Sequence, residues 1–115
     1  YNYDRLKHDV ARDRMVTAGR PDIFRYAHFL PVSRVDLAPP LKVGMTPLYH
    51  ADRLGASVGL KHVYLKDDGL NPSASFKDRA GAVALVRARE LNAKVVAGAS
   101  TGNAGSSMAG SGVLA

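Results

Sequence analysis

The chain contains no cysteine and no tryptophan among its 115 residues. Without cysteine there is no disulfide and no thiolate metal site, which fits a reducing, cytoplasmic setting. No run approaches the roughly 18 successive apolar residues of a membrane span, and no secretory leader is visible, so a soluble chain is expected. No basic run is interleaved with aromatic residues as a single-strand nucleic-acid binder requires. The net charge of +6 therefore reads as a solvated surface, because Lys and Arg are spread along the chain with Asp between them in its first third. No nucleic-acid or membrane partner is expected. His8 and His28 stand alone, which favours surface or packing roles over metal ligation, and there is no zinc motif.

What is present suffices for one modest core, since 46% of the residues are hydrophobic. The chain opens on Tyr1, and its last helical pattern has barely begun at Ala115, so the expectation is a portion of a longer protein. Tyr3, Leu6, Val10 and Met15 recur at helical spacing and predict an amphipathic helix over residues 3–16, stopped by Gly19-Arg20-Pro21. A second short helix is expected over residues 22–30, anchored by Ile23, Phe24, Tyr26 and Ala27 and closed by Pro31. Residues 33–43, with Pro39-Pro40, read as an extended connector. The chain thus divides into a helical arm with its connector, residues 1–43, and a larger α/β unit, residues 44–115. Such an arm more often packs against the body or a second subunit than performs chemistry.

The larger unit begins at Gly44-Met45-Thr46-Pro47-Leu48, which taken alone is a Thr-Pro turn. Residues 50–58 are a weak helix or loop, and residues 62–66 alternate as a strand with Val63 and Leu65 on one face. Residues 76–91 give the strongest helical pattern: Phe76, Ala80, Val83, Ala84, Val86 and Leu91 form the buried stripe, Arg87, Arg89 and Glu90 the wet one, and Asn92 the stop. Residues 94–99 read as a buried strand and residues 103–109 as the start of a helix of small residues. Strand, helix, strand, helix at this spacing is a βαβ unit of a parallel sheet. Ligands of such sheets sit at the carboxyl ends of the strands.

Two turn clusters fall at those ends. Asn71-Pro72-Ser73-Ala74-Ser75-Phe76-Lys77-Asp78-Arg79 opens the strong helix, with Ser73 and Ser75 as candidate N-caps and Lys77 in the first turn. A cation is disfavoured there by the helix dipole, so this amine is expected to lose its proton more easily than a surface lysine's and to serve as a nucleophile. Asp78 and Arg79 read as a structural charge pair. Ala99-Ser100-Thr101-Gly102-Asn103-Ala104-Gly105 brings hydroxyls, an amide and free N–H groups to a helix start, where an anion is favoured. It lacks the Gly-x-Gly of a dinucleotide loop and the lysine of a Walker loop.

In this order and at this separation, the two clusters resemble the lysine segment and asparagine loop of the fold-type-II pyridoxal-phosphate enzymes, the tryptophan synthase β-like family. Ser-Phe-Lys-Asp-Arg and Ala-Ser-Thr-Gly-Asn-Ala-Gly are most similar to the threonine synthase branch. The likeness extends through Gly44 to Leu48 and Tyr64-Leu65-Lys66 and covers about residues 26–110. It implies an incomplete parallel-sheet type-II fold behind a helical arm, with pyridoxal 5'-phosphate as cofactor. The implied reaction takes O-phospho-L-homoserine and water to L-threonine and phosphate, in a cytoplasmic homo-oligomer, a dimer, when full length. By the same resemblance Lys77 forms the internal Schiff base and then moves protons as a base, and Asn103 bonds the cofactor ring oxygen. Ser100, Thr101 and Gly102 hold the substrate carboxylate, and Lys66 is a weaker candidate for the substrate phosphate. Ser75 caps the lysine helix or touches the cofactor.

The family's phosphate cradle and pyridine-nitrogen partner fall outside these residues, so the 115-residue chain alone is expected to be inactive. Cysteate synthase, cysteine synthase, serine/threonine dehydratase and a truncated non-catalytic relative remain open at this point. After Gly110, the run Ser111-Gly112-Val113-Leu114-Ala115 departs from the family pattern by placing two poor helix formers in a helix.

Overall fold

A computed structural model describes residues 2–10 and 19–114. Helix α1 spans Tyr3–Asp9; the expected continuation to residue 16, with Met15, lies outside the described residues, as does the side chain of His8. Arg20 holds the carboxylate of Asp22 through two contacts of 2.9 and 3.0 Å. Asp22 in turn accepts from the Phe24 N–H at 2.9 Å and starts a 3-10 helix over Ile23–Phe29, kinked at Tyr26. Of its expected anchors Phe24 is buried, while Tyr26 faces solvent, as does His28.

The connector does more than span a distance. Phe24 and Val43 form the buried core with Ala82 and Val86, and Leu30, Val32, Val35, Leu37, Leu41 and Val83 pack around them. The wrap is pinned at its far end: Glu90 accepts from the N–H groups of Ser33 and Arg34 at 2.5 and 2.6 Å, and Arg89 donates to the Leu37 carbonyl at 2.8 Å. The arm therefore lies on its own chain's long helix.

Strand β1, Leu48–His50, pairs antiparallel with β2, Tyr64–Lys66, in the register Leu48 with Lys66 and His50 with Tyr64. The expected strand at residues 62–66 is thus present as its last three residues, whereas β1 runs from the end of the Thr-Pro turn at Leu48 to the start of the expected weak helix or loop at His50. Helix α2, Asp52–Ser57, connects the two strands. Residues 94–99, expected as a buried strand, form no ladder among the described residues, and Val95 and Val96 are exposed. A strand exists only where a neighbour accepts its N–H and C=O groups, and no described segment lies alongside to do so.

Two helices dominate the second half: α3, Lys77–Glu90, and α4, Asn103–Val113. The buried face of α3 is Asp78, Gly81, Ala82, Leu85 and Val86, at the i, i+3, i+4, i+7, i+8 spacing of a helix face. This corrects the expected stripe: Phe76, Ala80, Ala84 and Leu91 are exposed, because the helix turns its small residues toward α4. Gly81 makes the close approach possible, since a Cβ there would sit 2.7 Å from Ser107 Oγ. Asn92 ends α3 with φ +54, its N–H bonding Arg89 O at 3.0 Å while Ala93 N–H bonds Ala88 O at 2.9 Å, the paired bonds of a left-handed helix stop. Helix α4 runs on through Ser111 and Gly112 despite their poor propensity, because Ser111 is buried.

Candidate active site

Lys77 is the first residue of α3, as its cluster predicts. Its backbone N–H donates to Ser75 Oγ at 3.2 Å, so the buried Ser75 satisfies one of the donors that a helix start leaves open. The Lys77 amine lies 4.6 Å from the centre of the Phe76 ring and forms no ion pair with any described residue. Arg79, two residues on, is bound by Asp68 and Thr46.

Asp78 and Arg79 do not pair with each other, which corrects the sequence reading. The Arg79 guanidinium donates to both oxygens of Asp68, at 2.9 and 2.7 Å, and to Thr46 Oγ1 at 3.2 Å. The Arg79 bonds foremost, and the Thr46 hydroxyl next, hold the Asp68 carboxyl far below its ordinary range. Asp78 is buried and accepts instead from the N–H and hydroxyl of Ser73, at 2.7 and 2.6 Å. Burial opposes its ionisation most, but the Ser107 hydroxyl and the Ser73 donors outweigh it and keep the carboxyl below its ordinary range. Ser107 Oγ makes no hydrogen bond of good geometry among the described residues, so its contribution is that of a nearby dipole.

The segment Gly44 to Leu48 is tied to the same loop. The buried Asn71 side chain accepts from Gly44 N–H at 2.9 Å and donates to Asp68 O at 3.0 Å. Gly44 sits at φ +83, in the region that favours glycine, and a Cβ there would push on Arg79 Nη1 at 2.9 Å. Lys66 donates its amine to the Thr46 carbonyl, so the residue considered for a substrate phosphate is committed to this scaffold.

Asn103 is the first residue of α4, as Lys77 is of α3. In the loop before it, Ser100 Oγ accepts from the N–H groups of Gly102 and Gly105 at 3.3 and 3.0 Å. Ser100 is therefore a local cap here, while Thr101, Gly102 and Asn103 are exposed. No described group accepts from the N–H of Asn103 or Ala104, which leaves an electropositive helix start open to a ligand. The helices touch at Gly81 and Ser107, four residues into each, so Lys77 and Asn103 lie each about 6 Å along its own axis from one contact. Lys77, Ser75, Ser100, Thr101, Gly102 and Asn103 are thus carried by two packed helix starts, and Lys66 is held apart from them by Thr46. Thr46 and Asn71 stand inside the sequence motifs but were given no site role there, and Asp68 and Ser107 were not singled out by sequence reasoning. The signal for the first two was their place in those motifs.

The model of the pyridoxal-phosphate dependent enzyme family matches residues 40–115. Threonine synthase of Methanosarcina acetivorans is 39% identical over 95% of this chain and 26% of its own length. That of Methanocaldococcus jannaschii is 38% identical over 95% of this chain and 27% of its own. Threonine synthase of Synechocystis is 44% identical over 68% of this chain and 21% of its own length. The chain spans about a quarter of the length of these curated relatives. No solved structure matches. With a family match over most of its length and a lysine at the head of the helix that follows β2, this chain belongs to the pyridoxal-phosphate dependent enzymes.

Proposed function

We propose that these residues are the lysine-bearing part of a threonine synthase, which converts O-phospho-L-homoserine and water to L-threonine and phosphate. The residues present suit pyridoxal 5'-phosphate: the Lys77 amine is free of carboxylate partners, and Asn103 offers an exposed amide at a helix start. When bound, the cofactor supplies an electron sink for carbanion chemistry at the amino-acid substrate. Lys77 would hold the cofactor through its amine, and that amine would carry protons at the substrate's α and β carbons. Asn103 would hold the cofactor ring through its amide. Thr101, the N–H groups that follow Gly102 and, after release from its cap bonds, Ser100 receive the substrate carboxylate. Ser75 acts on the cofactor only through the helix start it caps, and Lys66 keeps its role as a contact for substrate phosphate only if it leaves Thr46.

In the whole enzyme, residues 94–99 join a parallel type-II sheet between neighbouring strands, residues 1–43 form the arm and 44–115 part of the cofactor domain. The enzyme is a cytoplasmic dimer. No helix among the described residues is long and apolar enough to cross a membrane. The observation that carries this reading is the paired placement of Lys77 and Asn103 at the starts of two helices in contact, in a chain similar to the three threonine synthases named above. The test is an assay of the full-length protein with O-phospho-L-homoserine. Threonine and phosphate released in equal amounts are expected. Pyruvate or 2-oxobutanoate from serine or threonine, without phosphate release, overturns the substrate assignment.

A further inference from the structure

We propose that Arg79 is a positioning residue for Lys77: seated on Asp68 and Thr46, it closes the lysine-bearing loop onto residues 44–46 and so fixes where the Lys77 amine stands. This rests on the assignment of Lys77 to the cofactor. No described carboxylate holds that amine, so its place is set by the backbone that carries it. The backbone is tethered on both sides of Lys77 to one short segment. Before it, the buried Asn71 accepts from Gly44 N–H at 2.9 Å and donates to Asp68 O at 3.0 Å. After it, the Arg79 guanidinium donates to both Asp68 oxygens, at 2.9 and 2.7 Å, and to the hydroxyl of the buried Thr46 at 3.2 Å. Thr46 in turn donates to Asp68 at 2.7 Å.

Both tethers reach the same place, since a Cβ on Gly44 would lie 2.9 Å from Arg79 Nη1. Lys77 stands two residues before Arg79, about 3 Å along the helix axis, so Arg79 is the tether nearest the amine. Between the tethers Ala74 sits in the left-handed region at φ +54, a conformation that persists only where the surroundings hold it. Helix stability does not account for a guanidinium at this position, because the first turn of a helix disfavours cations. The side chains of Arg79 and Asp68 are 29% and 24% exposed, which limits the screening of their contact by solvent. A guanidinium bridging both carboxylate oxygens fixes direction as well as distance, which the single ammonium of a lysine does not. Misplacement of reacting groups by about 1 Å costs on the order of 100-fold in rate, so loss of this tether is expected to show in turnover.

The test uses the full-length protein. Arg79→Lys keeps the charge but cannot span both Asp68 oxygens and Thr46, and Thr46→Val removes the hydroxyl at nearly the same volume. Glu90→Ala is the control: it frees the Ser33 and Arg34 N–H groups and loosens the far end of the same helix, about 20 Å along the axis from Lys77. Arg79→Lys is expected to lower kcat roughly 30-fold with KM changed less than about threefold, the signature of lost alignment rather than lost binding. Thr46→Val is expected to lower kcat about threefold, and the double variant by less than the product of the two, because they act on one contact. Glu90→Ala is expected to lower Tm and leave kcat within about twofold of the wild type. A second readout needs no substrate: the pyridoxal phosphate concentration for half-maximal borohydride labelling of Lys77 should rise about tenfold in Arg79→Lys and stay unchanged in Glu90→Ala. Wild-type kcat and labelling in Arg79→Lys would overturn the proposal, as would an equal loss of both in Glu90→Ala, which would make the effect one of general loosening. If Arg79→Lys does not fold, a wild-type kcat and labelling curve in Thr46→Val overturns it. A wild-type enzyme that ignores O-phospho-L-homoserine but labels at Lys77 would sink the substrate reading and leave the labelling test standing, whereas a label on another lysine would sink the Lys77 assignment and this proposal together.

Discussion

Two carboxylates flank the lysine loop, and they do opposite things. Asp68 takes the Arg79 guanidinium and the Thr46 hydroxyl, whereas Asp78 takes only neutral donors. Because Asp68 is held ionised by these partners, its contribution to stability is complete above its unfolded pKa of about 4 and is lost as pH falls toward the depressed folded value. Asp68→Asn is therefore expected to cost about 2 kcal/mol at neutral pH, with the gap to the wild type closing in acid. Denaturant melts of the full-length protein at pH 7 and at pH 3 check this; a gap that widens in acid would contradict the pairing. Sequence alone located Lys77 and Asn103, because turn residues before a periodic run mark a helix start. It mispaired Asp78 with Arg79, because neighbours in sequence at a helix start point in different directions and their partners come from residues 5 to 33 positions away.

Helices α3 and α4 were legible to within a residue or two at their starts, and the Asn92 stop was legible too. The buried face of α3 was legible only at Val83 and Val86. Hydrophobicity pointed to Phe76, Ala80, Ala84 and Leu91, but the contact with α4 uses Gly81 and Ser107, small residues whose role is closeness rather than apolar area. Gly81→Ala should then separate the helices despite the better helix propensity of alanine, at a net cost of about 1–2 kcal/mol. Gly81→Ala with Ser107→Ala should recover the loss, because the added methyl then meets no hydroxyl. Thermal melts of the three variants read this directly; a stabilised Gly81→Ala would show that the helices do not touch as described. Strand β1 was missed because Leu48-Tyr49-His50 is too short to show alternation, and residues 94–99 were read as a buried strand on an apolar pattern whose pairing partners are absent among the described residues.

At the scale of the molecule, the described chain is open. Its radius of gyration is 16.7 Å, against roughly 13 Å for a compact domain of this length. An apolar crevice of about 810 Å³ lies between α3, residues 93–100 and α4, lined by Leu85, Val96 and Met108 among others. Leu48, Tyr49, Tyr64 and Leu65 are all exposed, so neither face of the β1–β2 ribbon is covered. The arm, by contrast, is closed onto α3 through Phe24 and Val43. Bare apolar surface thus remains both on the β1–β2 ribbon and in the crevice beside the two helices that begin at Lys77 and Asn103. The curated relatives are about four times as long as this chain. The central claim is that Lys77 carries the cofactor. Borohydride reduction of the full-length protein with pyridoxal phosphate, followed by peptide mapping, tests it: the reduced-cofactor mass is expected on the peptide containing Lys77 and is lost in Lys77→Ala, whereas a label on Lys61, Lys66 or Lys94 would contradict the account.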